Sequence, residues 1–172
     1  MKPLYIDKPT KQHRLNNLSK KFAADLYIKR EDKSNYLCNG GNKCRKLEYI
    51  MENVLSNDCD TVITCGAVQS NHCMLTLSAA KKEQLDCHIV LEQRIPNSYI
   101  KNASGNNYLY NLLDAHIYVV GKGKELVINK MNEIYNSLVT KGKKPIIIAG
   151  GGSEPLGVYA YTKCAEEIEN SG

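Results

Sequence analysis

Asp60-Thr-Val-Ile-Thr-Cys65-Gly-Ala-Val-Gln-Ser70-Asn-His72 is the stretch on which the fold turns. Residues 60–65 form a short β-rich run, and from Ser70 to Lys82 the apolar residues recur at helical spacing. The same alternation continues along the chain. Strands are expected at Cys87–Leu91, His116–Val120 and Pro145–Ala149, with helices at Asn106–Leu113, Glu125–Lys141 and Val158–Glu169. Short strands separated by helices imply right-handed crossovers and a parallel sheet, so the expectation is an α/β unit with four strands, doubly wound. In such sheets ligands gather outside the carboxyl ends of the strands, where the strand order reverses. The loops at residues 65–72 and 150–155 both leave a strand and open a helix, and so are the places to look.

Working back from residue 60, Asp25–Arg30 alternates as a short strand, and a polar turn is expected over Lys33–Cys38. Asn39-Gly-Gly-Asn42 then signals a helix start, with Asn42 in the capping position. Leu47, Ile50, Met51 and Val54 repeat at helical spacing, which puts Lys43 and Lys46 in the first turns on nearly one face.

Composition removes several classes of function. The 172 residues are 42% apolar and 24% charged, which is ordinary for a globular domain and excludes a disordered tail or a collagen-like repeat. Runs such as Ile146–Ala149 are too short to span a bilayer, and no apolar stretch of signal-peptide length opens the chain, so a cytoplasmic location and no membrane partner are expected. The net charge of +5 is spread in pairs such as Lys20-Lys21 and Lys143-Lys144. With one Phe and no Trp besides, no nucleic-acid partner is expected. The seven cysteines are odd in number and lack a Cys-x-x-Cys spacing, which reads as reduced, mostly buried thiols. The four histidines show no ligand spacing with them, and no metal is expected.

Four sites could carry chemistry. A lysine following Gly40-Gly41-Asn42 feels the positive end of its helix, which favours the free amine that attacks a carbonyl; the plainer reading is a surface lysine after a turn. Lys46 has the same plain reading, with pairing to a phosphate as the alternative. Gln69-Ser70-Asn71-His72 could hold a carboxylate or phosphate on its amides and short polar side chains, or could simply cap the helix. Gly150-Gly-Gly152 marks a close backbone approach, but neither it nor Gly121-Lys-Gly-Lys matches a dinucleotide or phosphate-loop spacing. Glu31 and Asp32, adjacent on an expected strand, would face apart and not act as an acid–base pair.

Taken together, Ile28-Lys-Arg-Glu-Asp32, Gly40-Gly-Asn-Lys-Cys-Arg-Lys-Leu-Glu-Tyr49, the 60–72 stretch and Gly151-Gly-Ser-Glu-Pro-Leu-Gly157 resemble one family across nearly the whole chain. It is the pyridoxal-phosphate-dependent D-cysteine desulfhydrase and 1-aminocyclopropane-1-carboxylate (ACC) deaminase family, of the tryptophan-synthase-β fold type. The resemblance implies pyridoxal phosphate (PLP) as cofactor, a small amino acid as substrate and a homodimer in the full-length form. Lys43 matches the lysine that forms the Schiff base and then moves the α-proton. Lys46 matches a lysine near the cofactor phosphate, and Asn71 the asparagine on the ring hydroxyl. Ser70 matches the active-site serine, and with Asn71 and His72 lies where the substrate carboxylate is held.

Family members are about twice as long, so the chain is expected to be the N-terminal half. Residues 1–53 would then begin a larger cofactor domain, 54–160 would be a small α/β domain, and 161–172 would start the return to the larger one. A D-cysteine desulfhydrase is the first expectation and an ACC deaminase the second. A catalytically inactive fragment serving as a folded binding domain is the alternative from another class, and a nucleotide-binding domain without PLP a third.

Overall fold

The computed structural model describes residues 4–33, 37 and 40–171. Cys38 and most of the turn expected over residues 33–38 lie outside them. The chain opens with β1 (Gln12–Arg14), α1 (Asn16–Phe22) and β2 (Tyr27–Lys29), the two strands pairing antiparallel. A 3-10 turn at Glu31–Lys33 follows, so Glu31 and Asp32 sit on a turn and not on the expected strand. They still do not work as a pair, because Glu31 bonds Arg45 while Asp32 bonds Arg30.

Next come α2 (Lys43–Ser56), β3 (Thr61–Ala67), α3 (Asn71–Lys82), β4 (Asp86–Gln93), α4 (Asn106–Leu112), β5 (His116–Gly121), α5 (Lys124–Thr140), β6 (Pro145–Ile147) and α6 (Pro155–Glu169). The last four strands form one parallel sheet in the order β5-β4-β3-β6. The expected α/β sheet is therefore present. The chain moves outward from β3 to β5 and then returns to the other side of β3, which makes the carboxyl ends of β3 and β6 the switch point. The last helix starts earlier than its apolar pattern suggested, because Pro155 is pre-set for the first helical turn.

Strand alternation sends successive residues to opposite faces. Val62, Cys87, Ile89 and Leu91 join Cys73, Met74 and Leu77 of α3 in one buried cluster, which also takes Leu47, Ile50, Met51 and Val54 of α2. On the other face Ile63 and Val90 meet Val127, Met131, Ile134 and Leu138 of α5. Each large side chain so buried contributes about 1.5–3 kcal/mol.

Arg45 is fully buried within α2. Its Nε and Nη2 donate to Glu31 at 2.8 and 2.9 Å, and its Nη1 and Nη2 donate to Glu167 at 2.7 and 3.0 Å. Lys29 adds an ion pair to Glu167 at 2.9 Å, and Thr10 donates to Glu31 from its hydroxyl at 2.7 Å and to Glu167 from its backbone at 3.1 Å. Burial by itself would raise both carboxyl pKa values. The hydrogen bonds from Arg45 outweigh it, holding Glu31 below its ordinary value and Glu167 at about 2.

A carboxylate whose folded pKa is depressed adds stability that is complete above its unfolded value and is lost as pH falls through the folded one. Acid should therefore destabilise the protein progressively between about pH 4.5 and 2. Glu167→Gln should lower stability at neutral pH by about 2–3 kcal/mol, the scale of hydrogen bonds to a charged group. It should also flatten the acid limb without abolishing it, since Glu31 keeps its share. Urea unfolding midpoints of both proteins from pH 7 to 2 check this; parallel curves would contradict it.

Candidate active site

Three segments meet at the switch point: the start of α2, the β3–α3 loop and the β6–α6 loop. Gly40 and Gly41 have φ of 68° and 123°, a backbone that non-glycine residues rarely adopt, and this bends the chain into α2. Asn42 precedes the helix as expected but is helical itself, and its side chain makes no capping bond. Its Oδ1 instead accepts from Lys43 Nζ at 3.0 Å, and its carbonyl accepts from the Tyr161 hydroxyl at 3.1 Å.

Lys46 Nζ donates to the Gly151 carbonyl at 3.3 Å, tying α2 to the glycine loop. α6 closes tightly on that loop, because a Cβ on Gly157 would lie 2.0 Å from the Gly152 carbonyl oxygen. Burial, and then the neighbouring charge of Lys46, lower the pKa of Lys43. That is the direction the sequence suggested, although the helix end was the cause named there.

Ser70 caps α3, its Oγ accepting from Cys73 N at 3.2 Å. The capping role that was set against anion binding is thus filled. His72 is buried, with Nε2 2.9 Å from the Thr64 hydroxyl. Thr64 has one proton, which it donates to the Ile148 carbonyl at 3.0 Å, so His72 is the donor in their contact. Burial, reinforced by Lys43 and Lys46, brings the His72 pKa down to about 4, so the ring is neutral at pH 7. A neutral ring spent on Thr64 offers a carboxylate no charge; the exposed start of α3 at Asn71 offers amide donors.

Asn71 itself is fixed from α4. Asn106 Nδ2 donates to Asn71 Oδ1 at 3.1 Å and to the Gln69 carbonyl at 3.0 Å, while Asn106 N donates to Gln69 Oε1 at 2.8 Å. The Tyr110 hydroxyl donates to the Ser70 carbonyl at 3.0 Å. None of Thr64, Asn106 or Tyr110 was singled out from sequence. Gly105-Asn106 was visible only as a helix start, and which loop that start would face depends on how the strands are ordered.

A cleft of about 980 Å³ lies beside these loops, lined by Cys65, Ser70, His72, Met131, Gly150 and Glu154 among others. Lys43, Lys46 and Asn71 stand outside its wall. The five candidate residues therefore share one end of the sheet but divide between the cleft and the adjoining mouth of α2 and α3. Among the described residues no group of three or more His, Cys, Asp or Glu is gathered for a metal ion. No described helix is long and apolar enough to cross a membrane. The six described cysteines are free.

Residues 4–172 match the family described as "Pyridoxal-phosphate dependent enzyme". The chain belongs to that family. It is 35% identical over 168 residues to the bifunctional D-cysteine desulfhydrase/1-aminocyclopropane-1-carboxylate deaminase of Arabidopsis thaliana, spanning 94% of this chain and 41% of that protein. It is 34% identical over 166 residues to a D-cysteine desulfhydrase of Yersinia enterocolitica, spanning 95% of this chain and 49% of the relative. The crystal structure of an ACC deaminase homologue superposes with a TM-score of 0.89 at 36% identity, over 99% of this chain and 51% of that one. The chain spans about half the length of the curated relatives it matches.

If burial and Lys46 set the proton affinity of Lys43, Lys43 should be alkylated faster than the exposed lysines by a limiting aldehyde with cyanoborohydride near pH 8. Lys46→Met removes the second cause and leaves the first, so the Lys43 pKa should rise part-way and its labelling should slow severalfold. Peptide mass spectrometry after a short pulse reads both rates; Lys43 labelling no faster than that of Lys20 or Lys21 would refute the assignment.

Proposed function

We propose that the chain carries the lysine-bearing half of a PLP enzyme acting on a small amino acid, most closely a D-cysteine desulfhydrase. The observation that carries this reading is Lys43 at the start of α2, its pKa lowered by burial and by Lys46 three residues on, with Asn71 exposed at the start of α3. The residues fit the cofactor: an amine with reduced proton affinity suits its aldehyde, a second cation suits its anionic groups, and an amide donor suits its ring oxygen. PLP, when bound, supplies an electron sink for a carbanion at Cα.

The rest is the work of the chain. Lys43 Nζ would hold the aldehyde and, once released, take the α-proton of the substrate. Lys46 would sit near the phosphate while bracing the glycine loop through Gly151. Asn71 would donate to the ring oxygen, and the Ser70 hydroxyl with the Asn71 amides would receive the substrate carboxylate. His72, neutral and bonded to Thr64, would shape the wall without adding charge. With D-cysteine and water the products are pyruvate, sulfide and ammonia; with ACC and water they are 2-oxobutyrate and ammonia. The relatives' names include both activities.

The domain assignment belongs to this proposal. Residues 1–53 and 161–172 would share one larger domain, with 54–160 the smaller one, and the Arg45 network joining α2 to Glu31 and Glu167 supports that division. Exposed Leu18, Phe22 and Tyr27, with Val158 on α6, put apolar surface on the elements that such a domain would cover. A homodimer of the full-length form and a cytoplasmic location complete the reading.

Incubation with PLP followed by borohydride reduction should give one adduct by intact mass, mapping to Lys43 and absent in Lys43→Ala. Adducts scattered over many lysines, or none, would count against the reading. Ammonia release from D-cysteine and from ACC then separates the two chemistries.

A further inference from the structure

We infer that Asn106 is a positioning residue: its side-chain amide orients Asn71 so that Asn71 turns its NH2 group, and not its carbonyl oxygen, toward the site. The inference rests on the proposed contact between Asn71 and the ring oxygen of PLP, and it comes from a hydrogen-bond pattern with a single solution. The Gln69 carbonyl can only accept, so the atom of Asn106 that faces it at 3.0 Å must be Nδ2. The second Nδ2 proton points to Asn71 at 3.1 Å, which obliges Asn71 to present Oδ1 there. Asn71 Nδ2 is then left without a partner among the described residues, on an exposed side chain at the first position of α3.

The orienting group is itself held. Asn106 is nearly buried, and its backbone N–H donates to Gln69 Oε1 at 2.8 Å. Gln69 Nε2 reaches back to the Ser104 carbonyl at 3.3 Å. The turn that allows this needs glycine at 105, where φ is 72° and a Cβ would stand 2.7 Å from Gln69 Oε1. Tyr110, one turn further along α4, pins the Ser70 carbonyl. Helix α4 thus sets which end of the Asn71 amide is available. The available end is a donor, which an anionic ring oxygen accepts more strongly than a protonated hydroxyl does.

Asn106→Asp keeps the shape but replaces both donated protons with oxygen, facing two acceptors. Asn71 should then rotate its amide to bring Nδ2 toward residue 106. Two measurements on the full chain test this. In the first, without cofactor, the nuclear Overhauser contact between the Asn71 NH2 protons and the β protons of residue 106 should be stronger in Asn106→Asp than in the wild type, where Asn71 Oδ1 stands nearest Asn106. A contact as strong or stronger in the wild type would overturn the inference.

In the second, PLP and its 3-deoxy analogue, which lacks the ring hydroxyl, are titrated by absorbance. Asn106→Asp should weaken PLP about tenfold, the loss of one hydrogen bond to a charged oxygen. It should leave the analogue unchanged, and Asn106→Leu, which removes the orienting bonds without repulsion, should fall between. An equal loss for both ligands would mean a structural role only and would overturn the inference. Should the wild type bind neither ligand, the cofactor reading fails, and the NMR result alone decides the orientation of Asn71.

Discussion

A buried guanidinium sets the terms for this fold. Arg45 lies inside α2 with no solvent exposure, where an unpaired charge would cost several kcal/mol. Its donors find two carboxylates from opposite ends of the chain, Glu31 just after β2 and Glu167 near the end of α6, with Thr10 completing the set. Together they tie the N-terminal segment, α2 and α6 to one another. The pairing therefore fixes the rotation of α2 about its axis, and a helix advancing 100° per residue then turns Lys43 and Lys46 well away from Arg45. The face of α2 that carries Lys43 and Lys46 is the consequence of where its buried charge must go.

The second constraint is backbone proximity at the switch point. The β3–α3 and β6–α6 loops are held to each other through Thr64, whose hydroxyl links the His72 ring to the Ile148 carbonyl. Lys46 joins them from α2 through Gly151. Side-chain to backbone bonds of this kind position loops that no sheet ladder reaches, and they do so from residues far apart in sequence. Rigid placement of α3, α5 and the sheet comes from the two apolar clusters, while placement of the loops comes from a handful of polar bonds.

This division explains what could be read from sequence. Strand and helix periods are local, so the four parallel strands and their helices were legible, with shifts of a few residues at ends such as Pro155. Lys43, Ser70 and Asn71 were singled out because their blocks resemble a known family, and the structure puts all three at the carboxyl end of the sheet, at or beside the starts of α2 and α3. Arg45 was not, since an arginine between two other helix-face residues looks solvated until its partners 14 and 122 positions away are known. Asn106 was hidden for the same reason, its partners being 35 and 37 residues back. The antiparallel pair β1–β2 was half seen, because three residues of strand leave little alternation to detect.

Electrostatics at the mouth of α2 follow from the same geometry. Two lysines three residues apart crowd like charges onto one face, and the neutral His72 ring behind them supplies no counter-charge. Glu31 and Glu167, which might have balanced them, are committed to Arg45 on the far side of the helix. Lys46 donates to the Gly151 carbonyl, and among the described residues Lys43 donates to the amide oxygen of its neighbour Asn42. Burial, and after it that crowding, disfavours the charged form, and the lysine whose pKa is lowered is Lys43. The buried arginine that organises the fold thus also keeps both carboxylates for itself, and the mouth of α2 is left with two lysines and a neutral imidazole.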